Sequence, residues 1–343
     1  MNRPWKAGIA VLLMCILFLY GCTGETQTFE NTKSPQQLET SAPTAATTEA
    51  TTVPEETTEP QPVWLEPDFS LASSHVFVYH TASDTMIFSK GELQGRIAPA
   101  SLTKLYSAWV ALQYLTPEDV ITAGSEVTLI DPESSVAYIY QGQKLTVEMC
   151  VEGMLLQSGN DAAYVLAVAA GRAISGNPAL SATAAIGIFA GKMNELALAN
   201  GLENTHFSNP DGIDAPGHYT SLEDLIKISH LAMENPIIRK YSAMATDNVT
   251  YASGETASWK NTNELLHPAS QFYCEAAVGL KTGSTQNAGK CLISAFATEE
   301  GYLIIGTLGG KENYDRYIDS LNLYHHFTGQ PLEEYEIEPP EGA

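Results

Sequence analysis

Strand-like patterns stand at both ends of the apolar part of this chain, with a long helical centre between them. Residues 75–81 (HVFVYHT) and 84–89 (DTMIFS) alternate apolar and polar positions around a turn at Ala82, Ser83 and Asp84. After Tyr273 the alternation returns in AAVGLKTG, GKCLISAFAT and YLIIGTLGG, separated by the turn-forming stretches STQNA and EEG. Helical spacing runs through 101–115, 146–157, 161–173, 189–200 and 221–233, and a closing helix is expected over about 311–327. Ser221, with Asp224 three residues on, looks like a capping box for the helix at 221–233. Five strands split in this way can share one sheet only if the two ends meet. The expected fold is therefore α+β, a three-layer α/β/α arrangement of one antiparallel sheet plus a mostly helical subdomain.

The N-terminal sixty residues are of another kind. Arg3 and Lys6 precede a short apolar run at 7–20 that ends at Gly21 and Cys22, as in an export signal. It is shorter than the roughly 20 apolar residues a membrane span needs. The order Leu19, Tyr20, Gly21, Cys22 resembles the lipobox of bacterial lipoproteins, which would remove 1–21 and leave lipidated Cys22 as the first residue. From 22 to 62 Thr, Glu, Pro, Ala and Gln dominate, too little apolar material for a core, so a disordered tether is expected. Residues 63–328 then form the folded domain, and 329–343 an acidic tail.

Acidic residues number 40 against 17 basic ones, a formal net charge of −23. That balance disfavours a polyanionic partner, and nucleic acid is set aside. Cys150, Cys274 and Cys291 fit neither a zinc site nor a C-x-x-C pair. His206, His218, His230 and His267 show no metal-binding spacing, and structural or surface roles are expected for them. No metal or cofactor is expected.

Three short elements carry chemistry. Ser101 and Lys104 form S-x-x-K at the start of the helix expected over 101–115, which places both side chains on one face. A hydroxyl attacks well only when a neighbour takes its proton, and an amine can do so only when neutral. Lowering a lysine from about 10.4 to near 7 is within reach of burial and a nearby cation. Ser158-Gly159-Asn160 lies in a short loop between two helical patterns, and S-x-N recurs at 175–177 and 320–322, so only its flanks favour Ser158. Lys281-Thr282-Gly283 ends a strand pattern. On an edge strand it offers a positive charge, a hydroxyl and room for close approach of a substrate backbone.

S-x-x-K, S-x-N and K-T-G in this order match the penicillin-binding and serine β-lactamase set. The chain resembles the low-molecular-weight D-alanyl-D-alanine carboxypeptidases over roughly residues 72 to 328. The matching stretches are PASLTK, GMLLQSGNDAA, FSNPDGID, HYTSLEDL, NTNELL and GLKTGSTQNAGKCL. The resemblance implies the β-lactamase/DD-peptidase-like fold and removal of the terminal D-alanine from peptidoglycan stem peptides ending in D-Ala-D-Ala, with β-lactam antibiotics as covalent inhibitors. It makes Ser101 the acylated nucleophile, Lys104 its base and Ser158 a proton relay to the departing D-alanine. Asn160 would hold the peptide, and Lys281 and Thr282 would receive its terminal carboxylate. The backbone amides of Ser101 and Ser284 would form the oxyanion hole, and Lys281 would help keep Lys104 neutral. It also implies an enzyme outside the cytoplasmic membrane, held here by the lipid at Cys22.

Two departures stand out. No β-rich domain or basic membrane-surface helix is expected after the closing helix, and position 284 is Ser where many relatives carry a bulkier residue. A serine β-lactamase would need a second carboxylate to direct water. Glu264 in NTNELL lacks the required asparagine context, and Asp211 and Asp214 read as turn chemistry. A catalytically degenerate wall-peptide-binding homologue is the remaining alternative.

Overall fold

The computed structural model describes residues 64–335. The signal segment, Cys22, the whole tether and the end of the acidic tail lie outside the described residues. Strands β1 (His75–His80) and β2 (Thr85–Lys90) form the expected antiparallel hairpin. Strands β7 (Ala277–Thr285), β8 (Gly289–Ala297) and β9 (Tyr302–Gly310) form the C-terminal meander. The two groups join where β1 pairs antiparallel with β9, His75 opposite Leu308, which gives the order β2-β1-β9-β8-β7.

Both faces of this sheet are covered, so the pleat sorts its side chains into two cores. Val76, Val78, Leu292, Phe296, Leu303 and Ile305 pack with Tyr317, Leu321 and Tyr324 of the closing helix α7 (Asp315–Thr328). Phe77, Tyr79, Ile293 and Ile304 face the larger core built by the central helices. Each fully buried large apolar side chain contributes about 1.5–3 kcal/mol relative to exposure. The alternation is thus a switch between two apolar environments, which is why both sets of strand positions are rich in Val, Ile, Leu and Phe.

The centre holds α1 (Thr103–Ala111), α2 (Val147–Leu156), α3 (Asn160–Ser175), α4 (Ala182–Ala199), α5 (Leu222–Glu234) and α6 (Pro236–Ser242). Helix α5 lies against β1 and β9, while α2, α3, α4 and α6 pack on one another as the helical subdomain. Every residue of α1 except Trp109 is buried, so this helix is the shared axis of both parts. Ser221 caps α5 by accepting from the Asp224 amide at 3.2 Å, but Asp224 does not close the box. Its carboxylate instead accepts from the Asn204 amide and the Thr205 hydroxyl.

Several boundaries differ from expectation. The helix expected over 101–115 begins with a 3₁₀ turn at Ala100–Leu102 and runs as α-helix only from Thr103 to Ala111. Residues 113 and 114 then make i→i+3 bonds that tighten the exit before Thr116-Pro117. Helix α4 starts seven residues earlier than the pattern suggests, because its first seven residues, ATAAIGI, hold no charged residue and give little apolar contrast to read. Helix α6 and two small hairpins, β3 (Val120–Thr122) with β4 (Lys144–Thr146) and β5 (Thr246–Thr250) with β6 (Thr256–Lys260), had no clear signature. They are short and largely exposed along one side. Among the described residues no helix is long and apolar enough to cross a membrane.

Candidate active site

The lead-in to α1 is held in a conformation that regular helix would not give. Ala100 has φ +48°, a left-handed value that costs a residue with a Cβ about 1–3 kcal/mol. The turn is tight because two glycines press on it. A Cβ on Gly212 would sit 1.9 Å from the Ala100 carbonyl oxygen. One on Gly283 would meet the Ala100 Cβ at 3.0 Å and the Ser101 amide nitrogen at 3.2 Å. Gly283 therefore makes room first for the backbone of Ala100 and Ser101, whereas the sequence suggests room for a substrate. This contact lays β7 beside Ser101.

Lys104 Nζ donates to Ser101 Oγ at 2.8 Å and to the Asp211 carbonyl oxygen at 2.7 Å, and its side chain is fully buried. Burial pulls its pKa down from 10.5 to about 8, while the Asp211 and Asp161 carboxylates oppose the fall. A fraction of the amine is thus neutral at neutral pH, and in that form it is able to accept a proton. The value stays above the expected 7 because the two acids resist.

Asp211 reads from sequence as a turn residue, yet its carbonyl is the second acceptor of the Lys104 ammonium. The stretch that presents it is braced throughout. Ser107 Oγ donates to the Pro210 carbonyl at 2.7 Å, Asn209 spans Gly212 and Ile213, and Phe207 stacks on Tyr106 at 5.0 Å. His218 fastens the stretch to α1. Its Nδ1 accepts from the Ser208 amide at 3.0 Å, which leaves Nε2–H for Thr103 Oγ1 at 3.0 Å. Burial brings its pKa down to about 4, so it holds this geometry as a neutral ring. The structural role expected for His218 is the one it has. The match of FSNPDGID was the signal that could have brought Asp211 in.

Ser158 sits in the sharp turn between α2 and α3 with φ +57°, a second left-handed residue with a Cβ. Asn160 opens α3, and its Nδ2 donates to Ser134 Oγ at 2.7 Å. The adjacent Asp161 carboxylate accepts from the amides of Ala137 and Ile139, both at 2.8 Å, and so fixes the loop that covers Asn160.

Lys281, Thr282 and Gly283 lie on β7, an edge strand as expected. Lys281 is buried and donates to the Thr282 carbonyl at 3.0 Å. Burial holds its pKa well below the ordinary value, and the charges of Lys104 and Arg316 push the same way. Thr282 is joined to the Ser158 turn by a residue the sequence did not single out. Thr262 bonds Thr282 Oγ1 through its own Oγ1 at 2.5 Å, and its amide donates to the Leu156 carbonyl at 3.0 Å. Ser284 is exposed, with its hydroxyl 3.3 Å from Lys290 Nζ. Cys22 is outside the described residues. Glu264, weighed as a hydrolytic carboxylate, faces Lys260 at 3.6 Å.

Comparison with known proteins decides the family. A family model for D-alanyl-D-alanine carboxypeptidases matches residues 57–312. The chain belongs to the D-alanyl-D-alanine carboxypeptidase family. It is 34% identical to the D-alanyl-D-alanine carboxypeptidase of Streptomyces sp. (strain K15), over 70% of this chain and 81% of the relative. It is 28% identical to D-alanyl-D-alanine carboxypeptidase DacA of Escherichia coli (strain K12), over 74% of this chain but only 59% of that protein. The crystal structure of the Streptomyces K15 DD-transpeptidase superposes with a TM-score of 0.69 at 27% identity, covering 77% of this chain and all of that one. Penicillin-binding protein D2 of Listeria monocytogenes, solved in the ampicillin-bound form, shares the fold with a TM-score of 0.62 at 24% identity. The carboxypeptidase fold is thus the α+β architecture described above.

Proposed function

We propose that this member of the D-alanyl-D-alanine carboxypeptidase family removes the terminal D-alanine from peptidoglycan stem peptides through an acyl-enzyme on Ser101. The observation that carries the reading is the 2.8 Å contact between a buried, partly deprotonated Lys104 and Ser101 Oγ. Neutral Lys104 takes the Ser101 proton as Oγ attacks the carbonyl of the penultimate D-alanine. The proton travels by way of Ser158 to the departing nitrogen, D-alanine leaves, and water then hydrolyses the ester. Two donors, the amides of Ser101 and Ser284, suit the oxyanion, because Gly283 lays β7 directly beside Ser101. Asn160 holds the peptide backbone. Lys281 and Thr282 take its terminal carboxylate, and an arriving anion favours the charged form of Lys281 that burial opposes. β-Lactams carry a carboxylate next to a reactive amide, so they acylate the same serine.

Outside the described residues we place a lipid anchor at Cys22 and a tether over 22–62; the catalytic domain spans 63–328, and the enzyme works on the outer face of the cell membrane. Two measurements test the reading together. Intact mass after penicillin treatment is expected to show one adduct on Ser101, absent from Ser101→Ala. A stem pentapeptide is expected to lose D-alanine with the native chain only. An unlabelled native protein that releases no D-alanine would leave the wall-peptide-binding alternative standing.

A further inference from the structure

Thr262 occupies a place in the cleft that the three motifs do not account for. Its side-chain hydroxyl is 2.5 Å from that of Thr282, and it has no other side-chain partner among the described residues. Its backbone is fixed from two directions. The amide donates to the Leu156 carbonyl at the end of α2, and the carbonyl accepts from Tyr317 Oη of α7, each at 3.0 Å. Arg316, next to Tyr317 on α7, donates to the Gly283 carbonyl at 3.1 Å. One helix therefore sets Thr262 and the K-T-G strand in register with each other.

A hydroxyl has one proton to give and two lone pairs to offer. Between two threonines at this distance only one proton can lie on the shared line. If Thr282 donates to Thr262, it turns lone pairs toward the cleft and repels a carboxylate. If Thr262 donates, Thr282 keeps its proton for an anion, which can only accept. Resting on the function proposed above, we propose that Thr262 is a positioning residue. It donates to Thr282 Oγ1 and so aims the Thr282 proton at the terminal carboxylate of the substrate. Thr262 touches neither the scissile bond nor the carboxylate. Its fixed backbone keeps the Thr262 hydroxyl within reach of Thr282, and an arriving carboxylate, which can only accept, selects the arrangement in which Thr262 donates.

The test compares the full chain with Thr262→Val and Thr262→Ser, using benzylpenicillin and its methyl ester as acylating probes read by intact mass. The variants keep the backbone bonds of residue 262. Thr262→Val is expected to slow acylation by benzylpenicillin about tenfold, the scale of a hydrogen bond to a charged group. It should leave acylation by the neutral ester unchanged, and Thr262→Ser should behave as the native chain. Equal loss with both probes would assign Thr262 a purely structural role, and no loss with either would remove any role in aiming the proton. Either result overturns the inference. Failure of the native chain to be acylated at all would instead sink the function it rests on.

Discussion

Lys104 sits between effects of opposite sign. Burial disfavours its ammonium form, and the two buried carboxylates favour it, with a pKa of about 8 as the result. With the neutral amine as the proposed base, acylation is expected to rise with pH and level off above about 8. Removing one opposing charge shifts the balance in a definite direction. Asp211→Asn keeps the side-chain shape and the carbonyl that anchors Lys104, but it deletes the anion that stabilises the ammonium. Its acylation profile should therefore move to lower pH, measured as penicillin acylation rate from pH 5 to 10. An unmoved midpoint would show that the Asp211 charge is not felt at Nζ. The same residue shows how much was readable from sequence. Ser101, Lys104 and Lys281 stand in local motifs whose spacing announces their neighbours. Asp211 acts through a backbone oxygen, which carries no residue signature.

Helices α3 and α4 cross in near contact. An added Cβ on Gly171 would lie 2.0 Å from the Ala185 carbonyl oxygen, a backbone atom that cannot step aside. Gly171→Ala is a change that would normally favour a helix interior by roughly 0.5–1 kcal/mol. Here the clash should dominate, and a net loss of about 1–3 kcal/mol is expected, the usual cost of overpacking a close contact. Urea unfolding of the variant checks the sign, since a gain in stability would mean that the helices can separate without penalty. Elements with strong periodicity, such as β1, α3 and α5, were legible to within a residue or two. The weakly patterned ones were not. Helix α6 is a short helix begun by Pro236 and capped by Asn235, and the β5–β6 hairpin shows a single buried residue per strand. Short elements borrow their stability from what they pack on, and propensity alone leaves them unmarked.

At the scale of the molecule, the packed part begins at the edge of the tether. Trp64 lies 5.3 Å from His80 and 6.0 Å from Phe327, ring centroid to centroid, which ties the first described residue to the end of β1 and to the last turn of α7. Among the described residues, both apolar cores draw on strands and helices between Val76 and Phe327. Cys22→Ala should therefore move the protein from the membrane to the soluble fraction while leaving penicillin labelling of Ser101 intact. Cell fractionation with fluorescent penicillin reads both outcomes in one gel. Continued membrane association would refute the anchor, and lost labelling would mean that the catalytic domain depends on the lipid.

Local pattern in the chain determined the strands, most helices, the edge position of K-T-G and the pairing of Ser101 with Lys104. Each follows from periodicity or from two residues one helical turn apart. Family likeness added the reaction. Only the tertiary structure decided that Ser101 follows a left-handed residue at Ala100, that Gly283 clears space for that turn, and that the Asp211 carbonyl meets Lys104 Nζ and the Thr262 hydroxyl meets that of Thr282. These depend on contacts between segments mostly about 100 residues or more apart, on backbone atoms that every residue type shares, or on one hydroxyl meeting another from a different element. Such relations come into being when the two ends of the sheet meet, and no short window of sequence contains them.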